Sequence, residues 1–539
     1  MRPVAFAAGM EASRHLNSFL DPRRDTRREQ DELLRKLLSA HRQTAFGKDH
    51  GFDSIDEYKG FASAVPIRDY EQLRPYMQRV FHGEFDALLP PGRKVLMFAQ
   101  TSGTTGKCKC IPVTRTFLEQ MRRGFGMFGL RVLRDHPKGW LRPILQISSP
   151  MHESTSPTGL PCGAISGLLA ATQRRIVRWM YVVPQMVASI QDPDPRYYTT
   201  LRCGIDKNVA VITTANPSST IKLIETGQRH AERLIRDVAD GTINAPGGLP
   251  KALAGVLRFR PNRRLARRLS DGIKRDGKLL PKHFWQPAFL TNWTGGTLKL
   301  YLPRLRRLFG NVPIRDIGLL ASEGRFSLPI EDETPAGLAE TVSNFLEFIP
   351  VDQAGKDDPE VLRADELEVG SEYSLVVTNW AGLWRYNIDD RVRVTGFHHS
   401  TPIFEFLSRG VHTASITGEK ITEYQVVESM RVASERAGVG VEQFELQGRF
   451  ADLPYYELRL EKADGVAPVK IADLMDHALC ELNVEYKSKR VSDRLGPVRE
   501  VVLPAGTMSA AEDAKITSRG GRSDQYKHQY LLTEVLGQA

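Results

Sequence analysis

The segment Thr101-Ser102-Gly103-Thr104-Thr105-Gly106-Lys107-Cys108-Lys109 concentrates three residue types that attract anions. Glycines let backbone N–H groups approach a phosphate closely, hydroxyls donate further hydrogen bonds, and lysines add positive charge. The apolar run Val95–Phe98 precedes it and helical character begins at Val113. That order predicts a strand, a phosphate-cradling loop and a helix. The loop lacks the gap of a Walker A motif, and composition alone admits an ordinary polar loop equally well.

Three further segments carry chemically competent groups. Ala321-Ser322-Glu323-Gly324 follows a strand expected over Ile314–Leu320, which would place a hydroxyl and a carboxylate where α/β proteins bind ligands. Trp384-Arg385-Tyr386-Asn387-Ile388-Asp389-Asp390 offers an acidic partner for a ribose diol. Arg409-Gly410 and then Gly418-Glu419-Lys420 combine a hinge with a lysine. Each alone is also an ordinary turn. Gly124-Phe125-Gly126-Met127-Phe128-Gly129 matches a dinucleotide fingerprint, but it follows helical sequence and lacks the later acidic residue. Close helix packing is its expected role.

The elements that must position these groups alternate. A helix is expected over 11–43, then strands at Ile144–Ser148, Val209–Thr213 and Ile314–Leu320, separated by helical stretches at Arg174–Ile190 and Ser218–Ala239. This predicts an α/β fold with parallel sheets. From about 340 to 408, short strands suggest a small β-barrel-like subdomain of a large domain 1–408. After a hinge near 409, residues 409–539 read as a small α+β domain.

The chain has 539 residues, enough for two to four domains, with 41% hydrophobic and 26% charged residues, the balance of a soluble globular protein. No apolar run reaches the ~18 residues of a membrane span, and Met1–Met10 soon meets Glu11, Arg14 and His15, unlike a signal peptide. A cytoplasmic location is expected. Five cysteines without a CxxC pair exclude a disulfide framework. The net charge is +10, and the stretch Arg258–Lys278 holds nine basic residues against two acidic ones. Nucleic-acid footprints take this form, as do solvated basic helices, which are commoner.

Taken in order, these segments resemble the acyl-adenylate-forming superfamily, and more narrowly the Gretchen Hagen (auxin-responsive) acyl-acid amido synthetases. The narrower resemblance rests on Val65-Pro66-Ile67-Arg68-Asp69-Tyr70, Ile111-Pro112, Trp293-Thr294-Gly295-Gly296, Gly418-Glu419-Lys420 and Gln525-Tyr526-Lys527, and it covers about residues 30 to 530. It implies that a carboxylic acid is adenylated with ATP and Mg²⁺ and the acyl group then passes to an amino acid or other amine. By this resemblance Thr101, Ser102, Gly103, Thr104, Thr105, Gly106 and Lys109 hold phosphates, Ser322 lies beside the acyl-phosphate, and Glu323 ligates Mg²⁺. Asp390 accepts from the ribose, Arg409 sits at the hinge of a C-terminal lid, and Lys420 and Lys527 are the catalytic lysines. Thr294, Gly295 and Leu319 are the implied substrate contacts. Three positions depart from the pattern: Leu319 replaces an aromatic residue, Asp389 a glycine, and His528-Gln529-Tyr530 follows Lys527 where Pro-Arg is usual. Two other functions share features of this sequence: an acyl-CoA ligase with the same first half-reaction, and a non-catalytic nucleic-acid-binding protein using the basic stretch. A monomer is favoured and no membrane partner is expected.

Overall fold

The computed structural model describes residues 2–101, 109–173, 175–356, 358–410, 413–417, 419, 421–461, 471–518 and 528–536. The chain divides into two compact units: residues 1–294 with 308–406, and residues 295–307 with 407–539. Residues 295–307 thus join the second unit, although their sequence position suggests the large domain. Their Leu300 is part of that unit's hydrophobic core.

The first unit contains the expected parallel sheet. Strands Ile144–Gln146, Val211–Thr213, Phe289–Asn292 and Ile314–Asp316 lie side by side in chain order, all parallel. Helices Pro193–Gly204, Pro217–Arg229, Ala231–Asp240 and Arg263–Asp276 intervene along the chain. The long N-terminal helix is instead two, Arg2–Phe19 and Thr26–His41. Pro22 cannot continue the first helix, and Asp25 caps the second by accepting from the Arg28 N–H. Gly124 lies in the helix Arg115–Asp135, where an added Cβ would stand 2.7 Å from Arg325 Cδ. Close packing is therefore what its missing side chain provides, as its sequence context suggests.

Two local expectations change. The polar loop does not lead directly into a helix: Val95–Thr101 pairs antiparallel with a second strand, Lys109–Thr114, and the helix starts only at Arg115. Ile111, Pro112, Val113 and Thr114 are all buried, so both faces of this short run are covered and it extends as a strand. The β-rich region closes no barrel among the described residues. It belongs to an open seven-stranded sheet in the order Ser327–Leu328, Gly337–Ala339, Thr401–Arg409, Tyr386–His398, Glu372–Asn379, Asn344–Pro350, Leu362–Arg363. Its two end strands do not pair with each other among the described residues, so the sheet does not close.

A buried ion pair ties the N-terminal segment to this sheet. Arg385 Nε donates to Glu347 Oε1 at 3.0 Å, and the guanidinium also donates to the carbonyls of Ala62 and Val65, both at 2.9 Å. Tyr58 Oη donates to the same carboxylate at 2.9 Å. The Arg68 N–H then donates to the Arg385 carbonyl, and the Asn387 N–H to the Arg68 carbonyl. The Val65–Tyr70 motif is thereby bridged to the strand bearing Tyr386 and Asp390.

The second unit is α+β. Its sheet runs Arg499–Leu503, Tyr455–Glu461, Phe444–Arg449, Leu531–Leu536, with helices Glu423–Ala437 and Ile471–Leu482 contributing Val426, Met430, Met475 and Leu479 to the core. Thr422 and Gln425 form a reciprocal cap at the start of the first of these helices.

Replacing Arg385 by Met would leave the Glu347 charge buried without its cation. The expected loss is about 3–5 kcal/mol in urea unfolding, with partial recovery in Arg385→Met/Glu347→Leu. A loss below about 1 kcal/mol in the single variant would contradict this assignment.

Candidate functional site

Lys109 stands where the Ser/Thr/Gly loop rejoins the sheet. Its Nζ donates to Tyr386 Oη at 3.1 Å and lies over the rings of Tyr70 and Tyr386, at 5.5 and 5.8 Å from their centroids. Tyr70 is itself fixed, because its hydroxyl accepts from the Cys110 N–H at 2.8 Å. Three segments far apart in sequence, at 65–70, 101–109 and 384–390, therefore converge on one ammonium group. Tyrosine rings hold such a charge without neutralising it. Ser102, Gly103, Thr104, Thr105 and Gly106 lie outside the described residues, and Thr101 is the last residue of its strand.

Ser322 and Glu323 are the two tip residues of a tight hairpin, with Gly324 opposite Ala321 and Arg325 opposite Leu320. The parallel strand ends at Asp316, so this hairpin is a separate element rather than the strand's own end. Asparagines from the seven-stranded sheet pin it. Asn379 Nδ2 donates to the Glu323 carbonyl at 2.8 Å, and Asn344 Nδ2 to the Arg325 carbonyl at 2.7 Å. Asn344 and Asn379 are opposed across their strands, and Asn379 also donates to Asn344. Ser322 is half-buried, whereas Glu323 is 1% exposed. A carboxylate is carried to such depth only where something offsets its charge. Beneath it, Arg325 is packed on Phe125 and Phe128, and burial lowers its pKa to about 10 against the pull of Glu340 and Asp316.

Asp316, at the carboxyl end of the last parallel strand, has no motif to announce it in the sequence. One carboxylate oxygen accepts from the Thr294 hydroxyl at 2.7 Å and from the Thr294 N–H, and the other accepts from the Gly318 N–H at 2.6 Å. Trp293 Nε1 donates to the Gly318 carbonyl at 2.9 Å. Gly318 has φ 83°, and an added Cβ would lie 2.4 Å from the Ser327 carbonyl oxygen, so only glycine makes this turn. The Thr294 proton is thus committed to Asp316, leaving its oxygen only as an acceptor for any ligand. Leu319 follows the turn, half-buried, with its N–H donated to Ser327 Oγ at 2.8 Å. Gly295 is the first residue assigned to the second unit.

Asp390 is 5% exposed and lies in the strand Tyr386–His398, whose register against Glu372–Asn379 is interrupted after Asn387. Asp389 occupies this irregularity with φ 64° and donates its N–H to Asn387 Oδ1. The left-handed backbone explains why glycine suits the position, and aspartate is among the residues that tolerate it. In the second unit, Lys420 and Lys527 lie outside the described residues, and Arg409 ends its strand just before Gly410, which has φ 66°. Glu419, beside Lys420, is fully buried. It accepts from Tyr456 Oη, from the Ile416 and Thr417 N–H groups and from the Thr417 hydroxyl. Burial pushes its pKa up, but these donors outweigh it and hold the carboxyl below its usual range. These bonds fix the turn at Ile416 and Thr417, just ahead of Glu419 in the chain. Glu323 is not part of any group of three His, Cys, Asp or Glu able to hold a metal among the described residues.

Comparison with known proteins defines the class. Residues 15–314, 338–409 and 424–535 match the GH3 family N-terminal, central and C-terminal domains in that order. The chain belongs to the GH3 family. It is 26% identical to indole-3-acetic acid-amido synthetase GH3.4 of Arabidopsis thaliana over 92% of this chain and 88% of the relative. It is equally 26% identical to the 4-substituted benzoates-glutamate ligase GH3.12 of the same plant, over 92% and 91%. Jasmonoyl–L-amino acid synthetase GH3.5 of Oryza sativa subsp. japonica is 25% identical over 95% and 93%. The solved AtGH3.15 acyl acid amido synthetase in complex with 2,4-DB superposes with a TM-score of 0.84 at 22% identity, covering 96% of this chain and 94% of that one. That likeness establishes the fold.

Burial raises the Asp316 pKa to about 6, with the Thr294 and Gly318 hydrogen bonds and Arg325 opposing the rise. A carboxyl whose folded pKa exceeds its unfolded value contributes stability below the unfolded pKa and loses it as pH rises through the folded one. Wild type should therefore lose stability relative to Asp316→Asn between about pH 4 and 6, by on the order of 3 kcal/mol at most. Parallel pH profiles of thermal unfolding test this; a constant difference between the two proteins would contradict it.

Proposed function

We propose that this protein is an ATP-dependent acyl-acid amido synthetase that adenylates a small carboxylic acid and transfers its acyl group to an amino acid or other amine. The observation that carries the reading is Glu323, a carboxylate buried at the pinned tip of a hairpin next to the Ser322 hydroxyl. The GH3 membership and the amido-synthetase and ligase names of the relatives support it.

In the first half-reaction an oxygen of the acid attacks the α-phosphorus of ATP, a P–O bond breaks and pyrophosphate leaves. In the second, the amine attacks the acyl carbon, its proton is lost, and AMP departs with the electron pair of the C–O bond. The acid is activated because AMP is a far better leaving group than oxide. Positive charge opposing the phosphates would come from Lys109, held by its two tyrosines, and from Lys420, the residue after Glu419 in the sequence. Ser102 through Gly106 would supply backbone N–H groups and hydroxyls, Ser322 a further hydroxyl, and Asp390 an acceptor for the ribose. Mg²⁺ is commonly held by one or two carboxylates plus substrate phosphates and water, so a single buried glutamate fits it. Glu323 would hold the ion, which when bound supplies charge neutralisation at the phosphates. Thr294, Gly295 and Leu319 belong to the acid's surroundings in this reading, Thr294 as an acceptor oriented by Asp316. Lys527 and the hinge at Arg409 belong to the same proposal, with residues 409–539 acting as a lid. No helix is long and apolar enough to cross a membrane among the described residues.

ATP–pyrophosphate exchange should appear only when a suitable carboxylic acid is present. Glu323→Ala and Lys420→Ala should each lower it by about 100-fold or more, the scale of losing a group that stabilises transition-state charge. Mass spectrometry of reactions containing both CoA and mixed amino acids should show the amide. Acyl-CoA without amide would overturn the acceptor assignment, and no exchange across a broad acid panel would overturn the adenylation itself.

A further inference from the structure

The basic stretch that the proposed reaction leaves unused is a built feature of the first unit. Asn262 caps the helix Arg263–Asp276, accepting from the Leu265 N–H, and the helix buries Leu265, Ala266, Leu269 and Gly272. At Gly272 an added Cβ would stand 2.6 Å from the His283 ring, so the helix lies directly against the turn Pro281–His283. His283 is 3% exposed and its Nε2 is 2.7 Å from Asp276. That aspartate is also bonded by Lys282 and Arg275, so its charge is already spent locally.

The arginines along the helix are in the opposite condition. Arg263, Arg264, Arg267 and Arg268 are exposed, and none makes an ion pair or hydrogen bond among the described residues. Their spacing sets Arg263 beside Arg267 and Arg264 beside Arg268 on the helix surface, like charges that repel. Glutamate at any of these positions would relieve the repulsion while keeping helix propensity. These residues, with Arg275 and Lys282, line a concave depression of about 540 Å³ in which Asp271 is the acidic member.

We propose that this depression binds a compact anion carrying two or more phosphate groups. Guanidinium forks match phosphate oxygens bidentately, and several on one wall suit several adjacent negative charges. The lining contains no aromatic residue but His283, which is buried, so unstacked bases find no platform there. Its concavity favours a small ligand over a flat bilayer surface.

Titration calorimetry of the full-length protein with inorganic tripolyphosphate, at low and at moderate salt, tests the assignment. Because the proposed adenylation site also accepts phosphates, the reading is a count. Wild type should bind one more tripolyphosphate than Arg264→Ala/Arg268→Ala, while acid-dependent exchange and thermal unfolding of the variant stay unchanged. The extra site should weaken at least tenfold as salt rises through the range where charges are screened. Lys274→Ala/Lys278→Ala removes as much charge from the same helix region but outside the lining, and should keep the site. Equal counts in wild type and the arginine variant, or equal loss in the lysine variant, would overturn the proposal. So would arginine-dependent binding seen only with an oligonucleotide or with anionic vesicles.

Discussion

A guanidinium and a carboxylate taken out of water together are costly unless nearly every polar atom finds a partner. Arg385 and Glu347 meet that condition only because the chain at Ala62 and Val65 presents two carbonyls and Tyr58 presents a hydroxyl. The demand is mutual. Satisfying the arginine draws the Val65–Tyr70 segment against the strand beginning at Tyr386, and this brings Tyr70 to the Cys110 backbone and both tyrosines to Lys109. The placement of the Lys109 ammonium between two tyrosine rings is thus a consequence of how one buried ion pair is completed.

The same logic recurs around the other polar groups. The Ser322–Glu323 tip is fixed by two asparagine side chains, which donate to the backbone carbonyls of Arg325 and Glu323. Asp316 does the corresponding work for Trp293–Thr294 and the turn at Gly318, at the cost of a carboxyl that burial makes easier to protonate. Glu419 stabilises the loop before Lys420 with four donors and stays ionised more readily than usual. In each case a residue that does not itself face a substrate spends its hydrogen bonds on placing one that could.

Much of this was legible along the chain. Apolar runs separated by helical periodicity marked the parallel sheet, because strands covered on both faces have few polar positions. The motif order marked the family and the residues to inspect. What sequence inspection missed were the partners, since Asp316, Asn344 and Asn379 stand in unremarkable surroundings and acquire meaning only from donors or acceptors distant in the chain. An isolated Asp or Asn at a strand end was the available signal. The return strand Lys109–Thr114 was missed because its residues could equally begin a helix, and pairing with Val95–Thr101 decided the matter. The β-rich region had the short strands of a small barrel, yet closure depends on which strands become neighbours.

The opening loop and the basic stretch show where the division falls. Residue types along the chain determined the kinds of group available: hydroxyls, glycines and lysines at 101–109, a Ser-Glu pair at 322–323, and surplus arginine at 258–278. Those are local, covalent facts. Tertiary structure alone decided that Lys109 rests between Tyr70 and Tyr386, that Glu323 is buried while Arg264 and Arg268 are not, and that Thr294 is held by Asp316. The physical reason is that a charge's behaviour depends on its solvation and its neighbours, and both are set by chain segments that lie 22 residues apart for Thr294 and Asp316 and 277 apart for Lys109 and Tyr386.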